Sequence, residues 1–225
     1  MSTRELSRSE EDYLKAIYGL SESGDPASTS AIATVLDIQP ASVTGMVKRM
    51  AESGFLEHIP YKGVRLTDRG AREALRVLRR HRILETYLCE RLGFSWDDVH
   101  AEAERLEHAA SDRLVERMAA ALEFPSYDPH GAPIPTKGGQ IEPTDPATLA
   151  DARFGDRVRI RAVRDEDSET LRAIAEEGLL PGVRVEIRSR PSGEGSIDVS
   201  LVGEGGLRSI ERVLAQQIYV VPDEA

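Results

Sequence analysis

Residues 40–52 read PASVTGMVKRMAE, and this segment predicts a helix that Pro40 opens and Gly54 ends. Proline is favoured at the first helical position, and glycine commonly follows the last one. Apolar residues recur at spacings of three and four, which turns one face of the helix inward: Val43, Met46, Val47 and Met50. The opposite face is left with small hydroxyl side chains and two cations.

That outward face suits the major groove of DNA. Serine and threonine hydroxyls reach base edges, and lysine and arginine reach bases or phosphates. Predicted helices over residues 8–21 and 31–36 precede it, and a predicted hairpin over residues 55–66 follows it. This order predicts a winged helix-turn-helix domain over residues 1–72. The candidate DNA contacts are Gln39, Ala41, Ser42, Thr44, Lys48, Arg49, Lys62 and Arg65.

The distribution of charge allows a nucleic-acid contact in an acidic chain. The 225 residues carry a formal net charge of −10, which by itself argues against a nucleic-acid binder. Residues 40–72 nevertheless hold six lysines or arginines against three acids. The whole-chain charge therefore does not exclude DNA binding, although it predicts that non-specific binding is weak.

The chain carries no sign of a membrane or secreted protein. No apolar run approaches the roughly 18 to 20 residues that span a bilayer. The N-terminus, MSTRELSRSEEDY, lacks the apolar core of a signal peptide. We therefore expect a cytoplasmic protein. Its single cysteine, Cys89, excludes an intramolecular disulfide and a cysteine-rich zinc site.

The rest of the chain divides by composition. Residues 70–123 contain no proline and two glycines, which predicts two long helices, whereas residues 124–150 hold six prolines and three glycines, which indicates a linker. Short β-type runs follow at residues 157–163, 183–188, 196–201 and 217–221. The expected fold is mainly α with a small β domain. Its predicted parts after the winged helix are a helical domain over residues 73–125, a proline-rich linker over 126–151 and a small β-barrel over 152–225.

Histidine and glutamate side chains recur on the two predicted helices. His81 and Glu85 lie four residues apart, and a second array follows at His100, Glu104, Glu107 and His108. On one continuous helix these four would fall within an arc of roughly 100°. Imidazole with carboxylate suits a first-row metal ion. The alternatives are a solvated surface and a carboxylate-bridged di-metal enzyme, although the chain lacks the second Glu-x-x-His motif of such enzymes.

Several segments, taken together, resemble the diphtheria-toxin-repressor family of metal-dependent regulators, and within it the manganese-transport-regulator branch. The segments are 11–18, 40–44, 80–85, 99–108 and 129–135. The resemblance implies a winged helix, a helical dimerisation domain, a proline-rich tether and a Src-homology-like barrel. It also implies a homodimer that binds a palindromic double-stranded operator and catalyses no reaction.

The same resemblance implies the positions of the metal ligands. A primary site falls on Asp12, Glu104, Glu107 and His108, and an ancillary site falls on His81, Glu85 and His100. In long-chain members the barrel donates further ligands, for which the matching candidates here are Asp167 and Glu169. His130, in the tether motif, is expected to be structural.

Residues at three positions of the family's metal site indicate which ion binds and how many ions bind. Iron-sensing members place methionine and cysteine at the positions of Asp12 and Glu104, and hard carboxylate donors favour Mn(II) instead. Fe(II), Co(II), Zn(II) or Cd(II) are expected to bind in vitro as well. Manganese members often carry glutamate three residues after the aspartate, where this chain has Lys15. A protonated lysine cannot ligate, so the number of ions stays open.

The sequence therefore predicts a transcriptional repressor of metal homeostasis, with Mn(II) as the expected ion. Three alternatives remain: an iron-responsive regulator of the same family, a winged-helix regulator that senses a small molecule, and a metalloenzyme. Neither a glycine-rich phosphate loop nor a nucleophile elbow supports the last of these.

Overall fold

The computed structural model describes residues 6–21, 24–143, 147–164, 167–189, 195–203 and 206–223. The chain forms two compact units. The first unit comprises residues up to His81 together with 106–111 and 135–141. The second unit comprises 82–105, 112–134 and the residues from 142 onward.

The first unit contains a winged helix-turn-helix. Its elements are α1 (Arg8–Leu20), α2 (Thr29–Val35), α3 (Pro40–Glu52), β1 (Leu56–Ile59) and β2 (Gly63–Leu66). A capping box starts α1, because the side chains of Ser7 and Glu10 each accept a hydrogen bond from the other residue's backbone N–H. The helices agree with the predicted ones to within two residues. The apolar core is formed by fully buried side chains from all three helices: Leu14, Ile17, Ile32, Val43 and Met50.

The wing is held close to the segment before α2, because the backbone of Gly63 lies directly against that of Ala27. This residue has φ +125°, and a Cβ built on it would lie 2.1 Å from the carbonyl oxygen of Ala27. Ala27 and Val64 exchange two backbone hydrogen bonds of 2.9 Å, which attach the segment before α2 to β2. Only glycine fits this approach without moving the backbone.

Three helices follow the wing, so the prediction of two long helices over residues 70–123 was wrong. They are α4 (Asp68–Leu92), α5 (Val99–Leu106) and α6 (Asp112–Ala121). Helix α5 ends in a turn in which the backbone N–H groups of Ala109 and Ala110 both donate to the carbonyl oxygen of Leu106, each at 3.0 Å. Ser111 and Asp112 are residue types that favour a new helix start.

The second unit contains a five-stranded antiparallel sheet in the order β6-β5-β4-β3-β7. Its strands are β3 (Arg157–Val163), β4 (Arg184–Ser189), β5 (Ile197–Leu201), β6 (Arg208–Ile210) and β7 (Ile218–Pro222). Helices α7 (Ser168–Glu176) and α8 (Arg212–Ala215) lie between strands in sequence. The small β domain was predicted correctly, but β6 was missed because a three-residue strand shows no alternation.

Part of the predicted linker packs within the second unit. Asp128 and His130 are buried. The indole N–H of Trp96 donates to the carbonyl oxygen of Pro129 at 2.9 Å, and Nε2 of His130 lies 2.8 Å from the carbonyl oxygen of Trp96. Prolines restrict the unfolded backbone, so packing such a segment costs little conformational entropy. His130 has the structural position expected for it.

None of the helices in the described part of the chain combines the length and the hydropathy of a membrane span.

Candidate metal centre and nucleic-acid interface

Three predicted ligands converge within the first unit. Asp12 comes from α1, and Glu107 and His108 come from the turn after α5. One ligand atom of each lies within 4.8 Å of the others. The expectation that Glu107 and His108 continue the helical face of His100 and Glu104 was wrong, because α5 ends at Leu106. The turn directs both side chains toward α1 instead.

The imidazole of His108 faces both carboxylates of this centre. Its Nε2 lies 2.9 Å from Oδ1 of Asp12 and 3.4 Å from Oε1 of Glu107. The side chains of Glu107 and His108 are 0% and 11% exposed, whereas that of Asp12 is 33% exposed. The centre is therefore buried on one side and reachable from solvent beside Asp12.

Glu107 is held by two further side chains. Nδ1 of His81 lies 2.6 Å from its Oε2, and Nζ of Lys15 donates to its Oε1 at 2.8 Å. Burial raises the pKa of Glu107, but the hydrogen bonds and positive charge of His81 and Lys15 outweigh it, so the net pKa is lowered. His81, expected in the ancillary site, thus contacts a residue of the primary site.

Glu11 is a site residue that the sequence prediction missed. One of its carboxylate oxygens lies 2.7 Å from Nδ1 of His108, and the other accepts a hydrogen bond from the guanidinium of Arg80. No local pattern indicates these contacts, because they join residues 97 and 69 positions apart. The only sequence signal was that Glu11 and Arg80 adjoin the predicted ligands Asp12 and His81.

The donor set fits a divalent first-row ion. Two carboxylates and one imidazole are ligands that such ions accept. Burial raises the pKa of Asp12, and the negative charge of Glu107 raises it further, although His108 and Lys15 act in the opposite direction. The ionised Asp12 is therefore unfavourably placed in the protein alone, and a bound cation would relieve this cost.

The remaining predicted ligands lie in the second unit. Nδ1 of His100 is 3.0 Å from Oε1 of the buried Glu85. The Glu104 side chain is 50% exposed, and its Oε1 lies 3.6 Å from Nε2 of His100, one turn earlier on α5. Asp167 caps α7 by accepting from the backbone N–H groups of Glu169 and Thr170.

The predicted DNA-contacting residues are all exposed, namely Gln39, Ala41, Ser42, Thr44, Lys48, Arg49, Lys62 and Arg65. Six of them lie on α3 or at its N-cap, and two lie on the wing. Three have internal contacts. Arg65 donates to the carbonyl oxygen of Gly24 at 3.1 Å, the Thr44 hydroxyl donates to the carbonyl oxygen of Pro40 at 3.3 Å, and the Arg49 guanidinium donates to the sulfur of Met46 at 3.4 Å. The other side of α3 is buried through Val43, Val47 and Met50.

The sequence matches three known families over successive segments. Residues 5–64 match the N-terminal DNA binding domain of iron dependent repressors, and residues 67–136 match their metal binding and dimerisation domain. Residues 147–222 match the FeoA domain.

Two curated relatives illustrate the similarity over different lengths. The Iron-dependent repressor IdeR of Mycobacterium tuberculosis is 32% identical over 201 residues, which cover 84% of this chain and 87% of that protein. The HTH-type transcriptional regulator MntR of Oceanobacillus iheyensis is 35% identical over 114 residues, which cover 51% of this chain and 77% of that protein.

Solved structures resemble nearly the whole chain. A manganese-dependent transcriptional repressor in complex with manganese has a TM-score of 0.89 at 39% identity, covering 95% of this chain and 99% of that one. The structure of ScaR with bound Zn²⁺ has a TM-score of 0.82 at 30% identity, and it also covers 95% of this chain and 99% of that one.

Proposed function

The chain belongs to the iron-dependent (diphtheria toxin) repressor family, and from this we propose that it is a Mn(II)-activated repressor that binds a palindromic operator as a homodimer. Membership of the family makes it a metal-dependent DNA-binding repressor rather than an enzyme.

One observation carries the proposal: Asp12, Glu107 and His108 present ligand atoms within 4.8 Å of one another. Asp12 belongs to α1 of the winged helix, and the other two lie about ninety-five positions later in the sequence. Bound metal would supply a positive charge shared by these ligands. The two segments would then be held together more tightly than by their own hydrogen bonds.

The donor types support Mn(II) as the ion. Asp12 and Glu104 both offer carboxylate oxygens, which suit Mn(II) better than sulfur does. The structural relatives include a manganese complex and a zinc complex. At a nitrogen and oxygen site the affinity of divalent ions rises from Mn toward Cu, so we expect Fe(II), Co(II), Zn(II) and Cd(II) to bind in vitro too. Fe(II) is the competing physiological candidate, because a curated relative is an iron-dependent repressor.

Holding α1 fixes the position of α3, because both pack on one core. In a homodimer, two fixed winged helices would have a defined separation, which we expect to match operator half-sites about 34 Å apart or a multiple of this. Metal then favours the DNA-competent form, and DNA must tighten metal binding by the same factor. The exposed residues of α3 and the wing would contact bases and phosphates.

The other predicted ligands would extend the metal-binding set beyond Asp12, Glu107 and His108. Glu104 would complete the primary site, and Glu85 and His100 would hold a second ion with His81, which lies one turn before Glu85 on α4. Asp167 and Glu169 would add ligands from the FeoA domain. Asp167 would first have to leave its position as the cap of α7, and the backbone N–H groups of Glu169 and Thr170 would lose its carboxylate as an acceptor.

The test is operator binding by fluorescence anisotropy, titrated with Mn(II), for the full-length protein and for the Asp12→Ala and Glu104→Ala variants. We expect both variants to need at least about tenfold more Mn(II), because each loses a ligand. Their melting temperatures without metal should stay close to that of the unchanged protein. Titrations with Fe(II) and Zn(II), together with the metal content of the purified protein, compare the ions.

Glu57→Ala, which changes an exposed acid on the wing, is the control for a general effect of lost negative charge. Unchanged Mn(II) dependence in both ligand variants would refute the proposed metal clamp. A chain that binds its operator equally well in the presence of a chelator would refute metal activation altogether.

A further inference from the structure

A lysine side chain contacts the proposed metal centre directly. Nζ of Lys15 lies 2.8 Å from Oε1 of Glu107, and the same oxygen lies 3.4 Å from Nε2 of His108. The side chains of Lys15 and Glu107 are 21% and 0% exposed, so water screens this pair poorly. A fixed positive charge therefore already contacts an oxygen that the proposed ion would use.

We propose that the ammonium of Lys15 takes the place of a second cation at this centre, so that the centre holds one divalent ion. The inference rests on the proposed function, since it requires Asp12, Glu107 and His108 to bind metal. An ammonium group has three donors and no lone pair, so it can neutralise a carboxylate but cannot be a ligand. Lys15 would thus set the number of ions rather than bind one.

The charges around the centre support a single ion. Three carboxylates, from Glu11, Asp12 and Glu107, lie with two permanent cations, Lys15 and Arg80. With neutral histidines, one divalent ion leaves a single positive charge in excess, or none when the carboxylate of Glu104 joins the site. A second divalent ion would then leave two or three uncompensated positive charges in a largely buried site, where repulsion between charges is strong.

A purely structural ion pair would make a different prediction. If Lys15 only orients Glu107, its replacement would loosen metal binding and leave the number of ions unchanged. If it stands in for a cation, replacing the ammonium with a carboxylate should admit another ion. That exchange lowers the local charge by two units, which is the charge of one divalent ion.

The experiment compares the full chain with its Lys15→Glu variant, both carrying His100→Ala to remove the proposed second site. Mn(II) is added to saturation, bound metal is counted by equilibrium dialysis, and electron paramagnetic resonance reports whether the bound ions are close together. We expect one magnetically isolated ion with Lys15. We expect two spin-coupled ions in the variant, since paired metals that share carboxylates lie about 4 Å apart.

Lys15→Arg is the matched control, because it keeps the charge and should bind one ion. If circular dichroism shows that Lys15→Glu does not fold, Lys15→Gln replaces it. Loss of the repelling ammonium should then tighten the binding of one ion by about tenfold. Weaker binding in that variant would overturn the inference in favour of a structural ion pair.

The outcomes separate this inference from the proposed function. Failure of the protein with Lys15 to bind Mn(II) saturably would contradict the proposed metal centre itself. One ion both in that protein and in its Lys15→Glu variant would leave the metal centre intact and overturn only the role of Lys15. Two spin-coupled ions in the protein that keeps Lys15 would also overturn the proposed role of Lys15.

Discussion

Glu11 accepts a hydrogen bond from Nδ1 of His108 at 2.7 Å, although the two residues are 97 positions apart. A carboxylate at this distance favours the tautomer that carries its proton on Nδ1. Nε2 points toward Asp12 and Glu107, and its lone pair becomes available to a metal ion that takes the place of a proton there. Metal-binding histidines usually have their other ring nitrogen held in this way, which fixes the ring and increases its basicity.

The first prediction follows from that contact. Glu11→Gln should weaken Mn(II) binding by about 10- to 100-fold, because the ring of His108 loses its charged partner and its preferred tautomer. Isothermal titration calorimetry measures the affinity. Glu73→Gln, an acid on α4 that pairs with Arg76, is the control and should bind Mn(II) normally. Equal affinity in the Glu11 variant and the unchanged protein would show that this hydrogen bond does not support the site.

The second prediction concerns the pH dependence of stability in the metal-free protein. Burial raises the pKa of Glu107, but His81 and Lys15 lower it by more, so its folded-state pKa lies below the ordinary value. Such a group stabilises the fold at pH values above its ordinary pKa, and this stabilisation is lost as the pH falls through the lowered pKa. Glu107→Gln should therefore cost about 2 kcal/mol at neutral pH, and less in acid.

Urea unfolding in the presence of a chelator, at neutral pH and again at about pH 4, measures this difference. Glu104→Gln is the control, because its half-exposed carboxylate should contribute under about 0.5 kcal/mol. A loss of stability that is the same at both pH values would mean that the pKa of Glu107 is not lowered.

The sequence predicted those parts of the fold that depend on local periodicity. The three- and four-residue spacing of Val43, Met46, Val47 and Met50 identified the inward face of α3. All of these are buried except Met46, which is partly buried against the same core. The β3 strand was predicted with its observed bounds, Arg157–Val163. Both patterns repeat over enough residues to distinguish a helix from a strand.

The metal centre could be predicted only in part. Periodicity placed Glu107 and His108 on a continuous helix, whereas a turn after Leu106 carries them to α1. Asp12 was assigned through resemblance to a family, because no spacing rule connects it with residues so distant in the chain. The contacts of Glu11 and Lys15 depend on tertiary packing, which a single sequence does not specify.

The third prediction concerns DNA. Arg49 is exposed on α3, next to the proposed groove-facing residues, and we expect it to contact a phosphate. Arg49→Ala should reduce the slope of log affinity against log salt by about 0.9, which corresponds to one released counterion. Anisotropy titrations with Mn(II) present, at several salt concentrations, give the slope. Arg153→Ala, at an exposed site in the FeoA domain, should leave it unchanged. A slope that Arg49→Ala does not alter would rule out this phosphate contact.

The fourth prediction tests how tightly the proline-rich segment packs. Gly131 has φ +86°, and a Cβ there would lie 2.1 Å from the carbonyl oxygen of Arg161. Gly155 has φ +85° but no atom within 4 Å of its built Cβ, so it separates backbone strain from steric overlap. Gly155→Ala should cost about 1 kcal/mol through strain alone, whereas Gly131→Ala should cost about 3 kcal/mol because overpacking is added. Urea unfolding can be followed by the fluorescence of Trp96, which lies 5.1 Å from the His130 ring. Equal losses in the two variants would mean that the segment moves away from β3 easily and is not held by this contact.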